Sequence, residues 1–151
     1  RLHLGVIPTV APYLLPLALT RIRARDLTLE LRVREAQTDQ LVEELKQGRL
    51  DAAVMALAVP GDGLIATPLF EDRFVLAGSE GRLRDMAQGL DQLRPDSLNP
   101  DQLLLLDEGH CLADQALEVC GLSRRRIVDL GASSLSTLCG LVAEGLSLIP
   151  I

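Results

Sequence analysis

The sequence predicts an α/β protein of two lobes built on parallel-rich sheets, with a first lobe over residues 1–77 and a second over residues 78–151. Three observations lead there. Short apolar runs alternate with helical periodicity in the order β-α-β-α-β, which calls for parallel strands joined by right-handed crossovers. Pro60-Gly61-Asp62-Gly63 and the turn-rich, polar stretch from Gly78 to Pro100 then interrupt the pattern. Beyond them the same alternation resumes, and a second α/β lobe is expected to be still incomplete where the sequence stops at Ile151.

Leu2 to Ile7 is an apolar run closed by Pro8, the pattern of a buried strand. From Pro12 to about Arg25, Leu15, Leu19 and Ile22 recur at helical spacing, and Arg21, Arg23 and Arg25 gather where cations suit a helix C-terminus. Leu27, Leu29, Leu31 and Val33 alternate with polar residues, predicting a half-buried strand. Thr38 is the expected N-cap of the next helix, with Leu41, Val42 and Leu45 as its buried stripe and Gly48 as its stop. Leu50 to Leu57 is the third expected strand, and Leu64 to Phe70 and Arg73 to Ala77 read as extended. In the second lobe, strands are expected at Gln102–Leu106, Ile127–Leu130 and Leu146–Ile149, with helices at Cys111–Cys120 and Ser134–Glu144.

Composition narrows the function classes. Hydrophobic residues make up 48% and charged residues 24%, enough apolar surface to fold a core. Tyr13, Phe70 and Phe74 are the whole aromatic complement, so stacking platforms are absent. A net charge of −6 opposes a nucleic-acid surface, and the run Arg124-Arg125-Arg126 reads as a solvated turn. No apolar stretch approaches the length of a membrane span or a signal peptide, so a cytoplasmic location without membrane association is expected. Three cysteines, Cys111, Cys120 and Cys139, are too few for a secreted disulfide scaffold, and any pairing among them in a reducing compartment would be regulatory. One His beside a C-x8-C spacing matches no metal-site pattern, and neither a metal nor a cofactor is expected.

Several stretches together carry a resemblance. Leu4-Gly5-Val6-Ile7-Pro8-Thr9-Val10 with Pro12 to Pro16, Glu35-Ala36-Gln37-Thr38, Gly48-Arg49-Leu50-Asp51 and Pro68-Leu69-Phe70 cover much of the first half. Most specific is Asp107-Glu108-Gly109-His110-Cys111-Leu112-Ala113-Asp114-Gln115-Ala116, followed by Cys120. The chain resembles the regulatory domain of OxyR-type, peroxide-sensing LysR transcription regulators, which implies a periplasmic-binding-protein-like, two-lobed LysR substrate-binding fold. The closing Ala143-Glu144-Gly145 to Pro150 pattern belongs to the wider superfamily, whereas Gly-His-Cys with a second cysteine nine residues on marks the peroxide-sensing branch.

The resemblance implies that Cys111 is the peroxidatic thiol and Cys120 its disulfide partner, with Thr9, Thr38, His110 and Asp114 around the peroxide. It also implies hydrogen peroxide as the effector, a homodimer or tetramer formed through this domain, and DNA contact only through an N-terminal winged helix-turn-helix outside this chain. The family pattern has Arg where this chain has Ala113, which removes one cation expected beside the thiolate.

Thiolate is the attacking form, and a cysteine at a helix N-terminus beside an imidazole has two physical reasons to favour it. Nine residues of α-helix advance about 13.5 Å and turn roughly 900°, leaving residues 111 and 120 on opposite faces. A disulfide needs Cα atoms within about 7 Å, so the implied pair can close only if the intervening helix gives way.

Plainer readings compete. A cysteine on an apolar helix is more often a small core hydrophobe, the default for Cys139. Thr9 could simply end a strand and Thr38 cap a helix. Two other functions are conceivable: an effector domain holding a small organic anion between its lobes, with Ser133, Ser134 and Thr137 at a helix N-terminus, or a thiol peroxidase. The enzyme is disfavoured because no thioredoxin-like C-x-x-C is present, and a non-enzymatic sensor is the leading expectation.

Overall fold

The computed structural model describes residues 1–56, 63–88, 94, 98–107, 109–121 and 132–150. The chain divides into two compact units, Arg1–Leu69 and Phe70–Ile151. This boundary lies before the one expected after Ala77, because Leu76–Gly78 is a strand of the second unit.

The first unit runs β1 (Leu2–Val6), α1 (Ala11–Arg25), β2 (Leu31–Glu35), α2 (Thr38–Lys46) and β3 (Ala52–Val54). Its sheet has the order β2-β1-β3, and both pairings are parallel. The core is Val6, Ile7, Ala11, Leu41 and Leu50. Gly5 lets α2 settle on the sheet: a Cβ there would lie 2.7 Å from Leu41 Cδ2 and 2.8 Å from Leu50 Cδ1. Gly5→Ala is therefore expected to destabilise the unit by about 1–3 kcal/mol through overpacking, measurable by urea denaturation.

Two expectations are corrected in this unit. The strand expected from Leu27 begins only at Leu31, since Asp26 Oδ1 accepts the Thr28 N–H at 2.8 Å and its hydroxyl at 2.7 Å, and the resulting turn leaves Leu27 exposed. The N-cap of α2 is Gln37, with extended φ −65° and ψ 158°, and Thr38 is the first helical residue. Gly48 does end this helix: at φ 68° it donates to Leu45 O, while Arg49 N–H reaches back to Glu44 O at 2.9 Å, the Schellman pairing.

The second unit contains β4 (Leu76–Gly78), α3 (Glu80–Ala87), a 3-10 turn at Pro100–Gln102, α4 (Cys111–Val119), α5 (Leu135–Ala143) and β5 (Leu148–Pro150). β4 and β5 pair antiparallel. The strand expected at Gln102–Leu106 is reduced to two parallel bridges, Leu103 to Leu148 and Leu106 to Ala132. The intervening Leu104 and Leu105 pack into the core instead. The expected strand Ile127–Leu130 and the run Arg124–Arg126 lie outside the described residues, as do Leu57 and Pro60-Gly61-Asp62.

Leu104, Leu106, Ala113, Ala132, Leu138, Val142 and Ile149 form one apolar cluster joining α4 to α5. Leu103, Cys120 and Leu148 form another. Among the described residues no helix is long and apolar enough to cross a membrane, and no group of three or more His, Cys, Asp or Glu side chains would hold a metal ion.

Candidate redox site

The approach to α4 is set by Gly109, whose φ of 89° lies in the left-handed region that an L side chain resists. His110 follows as the N-cap with extended φ −90° and ψ 116°, and its carbonyl accepts the Ala113 N–H at 3.0 Å. Cys111 is thus the first helical residue, half-buried, at the positive end of the helix dipole. The His110 ring is buried at 6% exposure on its N-terminal side. Asp114, exposed and in the first turn, stands at i+3 from Cys111 and so shares its helix face.

Ala113, where the resemblance implies an arginine, is 1% exposed and packed against Leu106, Leu138 and neighbouring aliphatics. It anchors the first turn of α4 to the core and brings no charge to the thiol.

Cys120 occupies the other end of the same helix as its C-cap, donating its N–H to Ala116 O at 3.0 Å. Its side chain is 4% exposed, enclosed by Leu103 and Leu148 with Leu76, Leu83, Met86 and Leu98 around them. Burial pushes its thiol pKa up. A thiol whose folded pKa is raised contributes stability below its unfolded value, and loses it as pH climbs through the ordinary thiol range near about 8.5 towards the folded value. Unfolding free energy should therefore fall above about pH 8.5, by at most ~1.4 kcal/mol per pH unit, and Cys120→Ala should remove that slope in urea titrations at several pH values.

Both thiols are free, with nine helical residues from Cys111 to Val119 leading to Cys120. An unbroken helix of this length separates the two Cα atoms by about 13.5 Å and places them on opposite faces. The difference in exposure agrees with that geometry. Cys139, expected to pack, is exposed on α5 because the core takes the side of the helix that carries Leu138, Leu141 and Val142.

Thr9 and Thr38 belong to the first unit, and the thiols to the second. Thr9 follows the carboxyl end of β1 and Thr38 that of β2, and the parallel register of Val6 with Glu35 brings both half-buried threonines to one end of the sheet. That end is where open α/β sheets hold ligands. Ser134 is the N-cap of α5, with Ser133 and Thr137 exposed beside it. The enclosure of Cys120 by Leu103 and Leu148 was not foreseen, because a bridge distant in sequence creates it.

The sequence pattern of the LysR substrate binding domain matches residues 1–149. A "Probable hydrogen peroxide-inducible genes activator" of Mycobacterium leprae is 43% identical over 147 residues, covering 96% of this chain and 46% of that protein. A "Hydrogen peroxide-inducible genes activator" of Haemophilus influenzae is 40% identical over 152 residues, covering 99% and 50%. The chain thus spans about half the length of these relatives. The reduced form of the regulatory domain of OxyR2 from Vibrio vulnificus superposes with a TM-score of 0.82 at 35% identity, covering 99% of this chain and 70% of that one. With a two-unit α/β architecture, a parallel sheet in the first unit and a family match along almost its entire length, the chain belongs to the LysR substrate-binding domain family.

Proposed function

We propose that this chain is the hydrogen-peroxide-sensing regulatory domain of a LysR-type transcription regulator and that Cys111 and Cys120 are its switch. The observation that carries the reading is the placement of one free thiol in the first turn of α4 and another, buried, at its C-cap. The Cys111 thiolate attacks one peroxide oxygen; an S–O bond forms, the O–O bond breaks, and the departing oxygen takes a proton and leaves as water. The sulfenic acid is then attacked by the Cys120 sulfur, releasing a second water and leaving the disulfide, so that two thiols and one peroxide become one disulfide and two waters.

His110 and Asp114 flank the reacting thiol in sequence and on the helix, and Thr9 and Thr38 supply hydroxyls that orient peroxide oxygens. The disulfide requires α4 to give way, which turns oxidation into a change of backbone structure. In the whole regulator that change is read out by a homodimer or tetramer and by a DNA-binding module outside this chain, in the cytoplasm. The domain acts as a stoichiometric switch, not as a catalyst.

Peptide mass spectrometry after one equivalent of peroxide tests the reading. Loss of two hydrogens localised to a Cys111–Cys120 bridge is expected. Unmodified thiols, or repeated turnover of peroxide with a reductant present, would overturn it.

A further inference from the structure

The first unit carries a cleft that the redox reading leaves unused, with a volume of about 400 Å³. His3, Arg32, Arg34, Glu44 and Arg49 line it and Leu50 adds apolar surface, while Val33, between the two arginines of β2, borders it with its side chain turned to the other face of the sheet. The cleft opens at the amino end of the sheet, where His3 and Arg32 are register partners near the starts of β1 and β2 and Arg49 and Leu50 precede β3, and runs along β2 to Arg34. Thr9 and Thr38 lie past the opposite, carboxyl ends of the strands, so the cleft is separate from the residues assigned to peroxide.

The local charges do not cancel. Glu44, buried on α2, pairs with Arg34 at 2.7 Å and accounts for that cation. Glu30 is shared, at 2.8 Å from Arg1 and 3.3 Å from Arg32, so one carboxylate serves two guanidiniums. Asp51 is taken by His3, accepting its backbone N–H at 2.7 Å with the ring Nδ1 at 3.5 Å. Arg49 has no ion pair among the described residues. At the C-terminus of α2, Glu44 O accepts the N–H groups of both Arg49 and Leu50, which fixes the backbone that carries Arg49.

In a chain of net charge −6, a concave surface with surplus guanidiniums and apolar lining is a local exception. Its volume suits a small molecule, and guanidinium forks match carboxylates in bidentate geometry. We propose that this cleft binds a short aliphatic dicarboxylate, one carboxylate on Arg49, the other on Arg32, and the carbon chain over Leu50.

Calorimetric titration of the whole chain with succinate, at fixed low ionic strength and with butyrate as the single-carboxylate control, tests this. Succinate is expected to bind about tenfold more tightly than butyrate, the worth of one charge-assisted pair, and Arg49→Gln should erase that advantage. Glu44→Gln removes the carboxylate that competes for Arg34 and should tighten binding several-fold, a gain that general loosening of the fold would not produce. If that variant fails to fold, Arg32→Gln, at an exposed site, decides by the same loss as Arg49→Gln. Equal binding of succinate and butyrate, or an unchanged affinity in Arg49→Gln, would overturn the proposal.

Discussion

Cys120→Ser is expected to stop peroxide oxidation at the sulfenic acid of Cys111, so that one oxygen is gained and α4 stays folded. Cys111→Ser is expected to leave both the mass and the helix unchanged. The asymmetry follows from position: Cys111 is half-buried at the start of α4, while Cys120 is 4% exposed behind Leu103 and Leu148. A buried thiol held in its protonated form attacks only after it is released, so in the native sequence the sulfenic acid proposed at Cys111 should persist until the helix opens. Trapping with a sulfenic-acid reagent and peptide mapping distinguish the two variants, and formation of the sulfenic acid at Cys120 in Cys111→Ser would reverse the assignment.

Leu148→Ala should have the largest effect on stability and should also speed the switch. Leu148 is fully buried, pairs with Gly78 across the strands, and takes a bridge from Leu103 as well as packing on Cys120. The absence of a side chain at Gly78 is what admits it, because a Cβ there would collide with Leu148 Cδ2. Truncation should cost about 2–5 kcal/mol in urea denaturation, the range for a large-to-small change in a packed core. Because the lost contacts hold Cys120 in place, its alkylation and its pairing with Cys111 should both accelerate. A destabilised protein whose Cys120 stays as unreactive as before would show that the cluster does not gate the thiol.

The sequence was most informative where local chemistry and tertiary packing agree. The apolar stripe of α2 and its Gly48 stop are both present, since helix period and the left-handed C′ position are decided within a few residues. The helix from Cys111 was legible for the same reason, and Gly109 with its positive φ gives the Gly-His-Cys sequence a backbone meaning. Alternation misled at Leu27 and Leu29, where the hydrogen bonds of Asp26 to Thr28 stabilise a turn that competes with the sheet. The leucine run after Gln102 suggested a strand, yet only Leu103 and Leu106 make bridges, because which neighbour each residue meets depends on Ala132 and Leu148, far along the chain.

The exposure of Cys139 was not legible in the sequence, since Leu135, Leu138, Cys139 and Val142 fall at i, i+3, i+4 and i+7 of α5, and only the packing of Leu138, Leu141 and Val142 turns position 139 outward. The burial of Cys120 was not legible either, since its neighbours come from β4, α3, β5 and residues 98–103. Thr9 and Thr38 share one end of the sheet, and it takes the register of β1 with β2, a tertiary fact, to bring them there.

Amide hydrogen exchange over residues 111–119, measured on the reduced and the bridged protein, bears most directly on the switch. The reduced form should protect the amides that bond within α4, and bridging should lower that protection by about a hundredfold or more as the helix opens. A bridged protein that retains the reduced level of protection would contradict the account, because it would mean the two sulfurs can meet with the helix between them intact.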